Sequence, residues 1–269
     1  MVTHKDTDLP NLIELKDISQ SYDGGQSYII KDLNLLIEDK PAQGQLVVIL
    51  GMSGCGKSTL LRYIAGLQQP TKGEVYLKGK LRQEEDHVGM VFQQYSSFPW
   101  MTVLENVAIG LDFQGMDEKD RNLKAMEMIE LVGLGGHENK FAQYPTLSGG
   151  QLQRVAIARS LLTSPEMLLM DEPFGALDIK TRIQMQDLLL ELWHKFHSTI
   201  VFVTHDIREA VYLGDDVYFM KYAPSRFVEH IHIDLPLERN QETRRLPRYT
   251  ELVYEVEDTM LKIGSLQPA

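Results

Sequence analysis

A nine-residue run, Gly51-Met52-Ser53-Gly54-Cys55-Gly56-Lys57-Ser58-Thr59, constrains the fold of this chain more than any other feature. It fits the pattern Gly-x-x-x-x-Gly-Lys-Ser/Thr of a phosphate-binding loop. Glycines let the backbone curl until successive N–H groups converge on one anion. A helix leaving the loop adds its positive end. Lys57 then supplies a point charge to the β- and γ-phosphates, the Ser58 hydroxyl can ligate magnesium, and Thr59 faces the α-phosphate side. The loop needs a strand to feed it and a helix to follow it. Both are written in the chain: Gln45 to Leu50 is a short apolar run, and Ser58 to Leu67 reads as a helix closed by Gly66 and Pro70. By average composition, a chance match in this chain is on the order of one in a hundred.

The surrounding pattern is mixed α and β. Leu12 to Tyr22 and Tyr28 to Ile37 alternate as strands around a Gly24-Gly25 turn, and a further strand pair is expected at Glu74 to Leu77 and Val88 to Phe92. From about Phe98 to Ser164 the periodicity becomes helical, with Leu123, Met126, Ile129 and Val132 recurring on one face. Gly133, Gly135 and Gly136 break that helix, and Gly150 to Leu162 forms another that stops before Pro165. This block reads as a helical subdomain inserted into a sheet domain. Apolar strands return at Met167 to Met170 and Thr199 to Thr204, with an amphipathic helix between them marked by Met185, Leu188, Leu189, Leu192 and Phe196. The end of the chain is polar and charged, with a short docking helix expected over Leu252 to Ile263.

Composition narrows the function. A formal charge of −11 argues against a general nucleic-acid binder, which needs a basic face. The single cysteine, Cys55, excludes an internal disulfide framework and fits a reducing compartment, and within the loop it is expected only to fill space. The polar, acidic N-terminus lacks a signal-type apolar stretch, and no window is a membrane span. The chain is therefore expected to be soluble alone, and any membrane role needs a partner.

Four other positions carry candidate chemistry. Asp171 and Glu172 end the apolar run Leu168-Leu169-Met170. Downstream of a phosphate loop, Asp171 is placed to hold the magnesium shell and Glu172 to polarise an attacking water as general base. His205 follows the strand Ile200 to Thr204, which is expected beside the Asp171 strand in a parallel sheet, at the carboxyl-end crevice near the γ-phosphate. Gln93 also ends a strand and could reach the magnesium or the attacking water.

About ninety residues beyond the loop stands Leu147-Ser148-Gly149-Gly150-Gln151. Ser148 and the two glycines sit at a helix start, an anion site with nothing to bind in a lone subunit. A plain N-cap is the ordinary alternative. The glycine pair weighs against it, because it weakens a helix start unless close backbone approach is needed.

These motifs, in this order, resemble the ATP-binding subunits of ABC transporters over about Leu12 to His232. A chance copy of Leu-Ser-Gly-Gly-Gln is roughly a few in ten thousand by composition. The resemblance implies an α/β fold: a P-loop NTPase (RecA-like) core with an N-terminal antiparallel β region and an inserted α-helical subdomain. It implies one ABC ATPase domain over 1–269, with a sheet core at about 11–97 and 165–235, helical residues at about 98–164 and a tail at about 236–269. Two copies would sandwich two ATP molecules, with Ser148, Gly149, Gly150 and Gln151 of each touching the γ-phosphate held by the other. Tyr22 looks like the aromatic that stacks on adenine, Gln93 the Q-loop glutamine, Glu172 the catalytic glutamate and His205 the switch histidine. Gly175-Ala176-Leu177-Asp178 resembles the loop joining the two subunits.

Asp171-Glu172-Pro173-Phe174-Gly175-Ala176-Leu177-Asp178 with Thr181-Arg182 looks like bacterial importer ATPases, and Phe98-Pro99-Trp100 is similar to the nitrate, sulfonate and taurine importer branch. Met52 departs from the proline common there, and Glu38-Asp39-Lys40-Pro41-Ala42 is a few residues longer. The implied cofactors are ATP and Mg2+. The implied partners are a second copy, transmembrane permease subunits and, indirectly, a periplasmic or extracellular solute-binding protein, with no nucleic acid. The implied location is the cytoplasmic face of the cell membrane. Transmission would run through Gln93 to Met101, where Phe98 and Trp100 serve either core packing or a groove for a short channel helix. Three rivals fit less well. A DNA-maintenance ATPase usually carries a very long coiled-coil insertion, a translation factor of this type two ATPase units, and a kinase or GTPase has no use for Leu147 to Gln151.

Overall fold

The structure is a computed structural model that describes residues 9–40, 43–86, 88–94, 96–163, 165–222 and 224–265. The N-terminal hexapeptide, Pro41 and Ala42 of the long segment, and the last four residues of the tail lie outside them. In chain order the elements are β1 (Asn11–Gln20), β2 (Ile30–Glu38), β3 (Gln45–Gly51), α1 (Lys57–Ala65), β4 (Lys72–Leu77), β5 (Lys80–Leu81) and β6 (Gly89–Val91). There follow α2 (Val103–Phe113), α3 (Glu118–Leu131), α4 (Gly149–Leu162), β7 (Met167–Asp171) and α5 (Ile179–Phe196). The chain ends with β8 (Thr199–Thr204), α6 (Ile207–Leu213), β9 (Asp216–Lys221), β10 (Arg226–His232) and α7 (Pro247–Ser265). No helix of the described residues is long and apolar enough to cross a membrane. The described residues divide into two compact units, at 88/89 and 198/199.

In the first unit β1 pairs antiparallel with β2 and with β4, which pairs in turn with β5. A second set of strands runs β10, β9, β3, β8, with β3 parallel to both neighbours. Every residue of β3 and of β8 is buried. Strands covered on both faces carry continuous Val, Ile and Leu rather than alternation, and this is why Leu46 to Leu50 is uniformly apolar. The Arg239 guanidinium closes the end of α6. It donates to the carbonyls of Tyr212, Leu213 and Gly214 and to the Asp215 carboxylate at 2.7–3.2 Å, answering carbonyls that a seven-residue helix cannot satisfy itself. Asp215 also accepts the Leu46 amide, tying that helix end to the start of β3.

The sequence-expected tail helix extends further than Leu252 to Ile263. Tyr249, Leu252, Val256 and Ile263 of α7 are buried, and the Tyr249 hydroxyl donates to the Arg208 carbonyl. The expected strands at Glu74 to Leu77 and Val88 to Phe92 do not pair with each other: β4 joins β1 and β5, while β6 is parallel to β7 in the second unit.

In that second unit α2 and α4 pack together, as do α2 and α3. The apolar face read on α3 differs from the buried one. Leu123 is 60% exposed, and the buried row is Ala125, Met128, Ile129 and Val132, the i, i+3, i+4, i+7 set. Counting only large apolar residues rotated the face away from the alanine. α2 starts on a full capping box in which Thr102 and Glu105 exchange hydrogen bonds.

Candidate functional site

In the first unit β3 delivers the glycine loop as expected. Gly51 has no room for a side chain, since a Cβ there would stand 2.6 Å from the Met220 carbonyl oxygen and 2.7 Å from the Cys55 sulfur. Gly56 adopts φ 90°, where L side chains are strained, and it immediately precedes α1. The Lys57 ammonium is buried and donates to the carbonyl oxygens of Gly51 at 2.9 Å and Met52 at 3.0 Å. It is thus folded back over the loop that its own helix follows. Ser58 occupies the first turn of α1, with Thr59 next, while Met52, Ser53 and Gly54 form the exposed lip. Cys55 is fully buried, in keeping with a space-filling role, and is shielded from alkylating reagents.

His205 emerges beside this loop. β8 lies parallel to β3 with Thr204 opposite Leu50, so the histidine leaves its strand where Gly51 opens the loop. The turn is fixed by Thr204, whose hydroxyl donates to the Glu209 carboxylate at 2.7 Å and accepts the Asp206 amide at 3.0 Å. Asp206 caps α6 by accepting from the amides of Arg208 and Glu209. Glu209 and Thr204 were not foreseen as supports of the histidine, although Asp206-x-x-Glu209 is a legible helix-start pattern. Tyr22 lies past the end of β1 and is 68% exposed, so its ring is free of the strand face and open to a stacking partner.

The second unit assembles the carboxylates. β6 and β7 run parallel with Val91 opposite Met170, so Gln93 and Glu172 leave the same ends, and Gln93 Nε2 lies 3.4 Å from Glu172 Oε2. Asp171 is buried at the last position of β7. Glu172 has φ 43°, a left-handed conformation uncommon for a non-glycine residue and characteristic of functional turns. The chain then turns tightly. Gly175 donates to the Glu172 carbonyl, Leu177 to that of Phe174, and Asp178 caps α5 by accepting the Thr181 amide and hydroxyl. The Thr181 hydroxyl and amide bonds hold the Asp178 carboxyl below the usual carboxylate range.

Ser148 caps α4, accepting the Gln151 amide while Gln151 Oε1 accepts the Ser148 amide, so the ordinary capping role is realised in full. Ser148 is nonetheless not buried, and the helix start faces outward. One glycine of the pair also has a packing reason. A Cβ on Gly150 would stand 2.5 Å from Thr181 Cγ2, so this glycine serves the close packing of α4 on α5.

Trp100 is 70% exposed and tilts over Phe98 at 5.5 Å between centroids, while the Arg159 guanidinium lies 5.1 Å from the Phe98 ring and donates to Ser96. Phe98 therefore packs and Trp100 projects. Among the described residues no group of three or more His, Cys, Asp or Glu is arranged to hold a metal ion. Asp171 and Gln93, which leave the paired ends of β7 and β6, carry side-chain oxygens, the donor chemistry that Mg2+ takes.

The sequence matches the ABC transporter family over residues 31–175. It is similar to the nitrate import ATP-binding protein NrtD of Synechocystis sp., 44% identical over 228 residues that cover 83% of each chain. It is similar also to the taurine import ATP-binding protein TauB of Pseudomonas savastanoi pv. phaseolicola, 42% identical over 83% of this chain and 84% of that one. Among solved structures it resembles the dimeric post-hydrolysis state of the ATP-binding cassette MJ0796 bound to ADP and Pi. There the TM-score is 0.69 at 33% identity, over 82% of this chain and 99% of that one.

Proposed function

The chain belongs to the ABC transporter family, and from that premise we propose that it drives import of a small anionic solute through a separate membrane protein. It is an ATP-binding subunit and an ATPase. The proposal adds the sharing of each nucleotide between two copies, the role of each residue and the cargo class.

The observation that carries the reading is a pair of unlike candidate anion sites on one chain. One is the curled loop capped by the Lys57 ammonium; the other is the outward-facing helix start at Ser148. Loop amides and Lys57 would hold the triphosphate, Tyr22 would stack on adenine, and Ser58, Asp171 and Gln93 would supply oxygen ligands to Mg2+. The Ser148 helix of the second copy closes on the γ-phosphate, which supplies the differential contact that closure requires. For this its capping hydroxyl, an acceptor from the Gln151 amide, still has its own hydrogen to donate. Glu172 orients the attacking water and His205 steadies the γ-phosphate. Hydrolysis removes the charge bridging the copies, and the pair reopens.

The two import relatives act on nitrate and taurine by name. Their similarity over most of the chain supports a cargo of that size, nitrate or a sulfonate. Permease subunits and a solute-binding protein would complete the assembly at the cytoplasmic face of the membrane, with Trp100 as the aromatic anchor for the permease.

The test is Ser148→Arg in the purified chain. ATP affinity of the monomer should persist, while ATP-induced dimerisation and turnover should vanish. Full turnover by this variant would overturn the shared site.

A further inference from the structure

The glycines of the phosphate loop turn the positions where side chains would stand toward a common wall. A Cβ on Gly51 would meet the Met220 carbonyl oxygen, and one on Gly56 would lie 3.2 Å from Ile30 Cδ1 and 3.5 Å from Met220 Cε. A Cβ on Gly54, at the exposed lip, would lie 3.9 Å from Tyr222 Cε2. The loop thus leans on Ile30, Met220 and Tyr222.

Strand register builds that wall. β9 runs parallel to β3 on the side away from β8, with Met220 opposite Gly51. The chain therefore leaves β9 level with the opening of the loop, as it leaves β8 at His205 on the other side. Ile30 is the first residue of β2. Ser225, just before β10, pins this region to β2: its amide donates to the Ile29 carbonyl at 2.7 Å and its carbonyl accepts the Lys31 amide at 3.3 Å. Ile30 and Met220 are buried, so they serve the core as well as the loop. Tyr222 is 48% exposed and adds little to the core, yet its ring is the part of the wall that meets the lip.

We propose that Tyr222 is a positioning residue for ATP, its ring backing the Gly54 turn so that the lip of Met52, Ser53 and Gly54 is already shaped to receive phosphates. This deepens the reading above, in which the loop holds the triphosphate, and rests on it. Gly54 sits at φ 81° and carries no side chain to restrict it. A lip without backing samples more conformations, and binding must then order it, which lowers affinity. The ring acts on the bound nucleotide before and during reaction alike, so its effect falls on KM and not on kcat.

The test uses the full chain with Tyr222→Ala and Tyr222→Phe. Tyr222→Ala should raise both the Kd for a non-hydrolysed ATP analogue, by calorimetry, and the KM for ATP about five- to tenfold, with kcat at saturation within about twofold of the parent. Tyr222→Phe keeps the ring and should give parent values. In the nucleotide-free chain, hydrogen exchange on a peptide spanning Met52 to Cys55 should quicken severalfold in Tyr222→Ala and not in Tyr222→Phe, while a peptide from β8 stays at the parent rate. Unchanged affinity in Tyr222→Ala, or a kcat that falls while KM holds, would overturn the role. So would a lowered melting temperature with lip exchange at the parent rate, because the ring would then serve only the fold. If Tyr222→Ala does not fold, Tyr222→Leu takes the same measurements. Lys57→Ala separates the two readings. Should it leave ATP affinity intact, the loop is not the phosphate site and both fall; should it weaken binding while Tyr222→Ala does not, only the role of Tyr222 falls.

Discussion

The side-chain amide of Gln93 reaches the carboxylate of Glu172, with Nε2 3.4 Å from Oε2. The contact follows from strand register, since Val91 and Met170 are paired and each chain leaves its strand toward the same end. A carboxylate in a left-handed turn, held by an amide, is aimed rather than merely exposed.

Glu172→Gln should therefore keep ATP affinity within about threefold of the parent and cut turnover by at least about a hundredfold, the usual scale of a lost general base. Gln93→Ala should lower turnover by a smaller factor, because the carboxylate remains but loses its orienting amide. Phosphate-release kinetics alongside calorimetry separate the two effects. Near-parent turnover in Glu172→Gln would remove that residue from its role.

Lys57→Ala acts on the other unit. The ammonium is buried and held by two carbonyl oxygens of the loop it serves. Hydrogen bonds to a charged group contribute about 1.5–3 kcal/mol each. Losing one or two to phosphate should weaken ATP binding by about a hundredfold or more. Calorimetry with the non-hydrolysed analogue is the measurement, and an unchanged affinity would contradict the assignment.

The strands and the loop were legible because their constraints are local. A strand buried on both faces must be apolar throughout, and a phosphate cradle must have glycine where φ is positive. Thr199 to Thr204 is recovered to the residue in β8, and α1 ends at Gly66 as read. The α3 face was misread because Ala125 counts toward burial without looking hydrophobic, while Leu123 looks hydrophobic and is exposed. Gly150 was read as marking a close backbone approach, and a Cβ there would stand 2.5 Å from Thr181 Cγ2. A sequence shows that a position must be small; only the fold shows which neighbour requires it. Arg239, buried against the end of α6, had no signal at all, because its partners are carbonyls that any residue carries.

Trp100→Ala should separate packing from docking. Phe98 is partly covered and lies under Arg159, whereas Trp100 projects with 70% of its surface exposed. Truncation should leave the melting temperature within about 2 °C, as expected of a surface change. Basal ATPase should hold, and co-purification with the membrane subunit should fall severalfold. Phe98→Ala should instead lower the melting temperature. Loss of folding in Trp100→Ala would place that ring in the core and end its assignment as an anchor.

Asp216 sets an acid limit on the first unit. His230 Nε2 at 2.9 Å and His232 Nδ1 at 3.0 Å both donate to the same oxygen, Oδ1, and Lys40 lies 3.8 Å from the other. Burial alone would raise this carboxyl. The two imidazole hydrogen bonds and the Lys40 charge outweigh burial and bring it from 3.8 down to about 2. A carboxyl depressed in the folded state stabilises that state above its unfolded pKa and loses the contribution as pH falls through the folded one. The window is therefore pH 4 down to pH 2, and the amount is about 2 kcal/mol. Asp216→Asn should be less stable than the parent by about that much at pH 7 in urea unfolding. The gap should narrow below pH 4 and close near pH 2, where the parent carboxyl is itself protonated. A gap that stayed constant across that range would mean the carboxylate charge contributes nothing to the junction of β9 and β10.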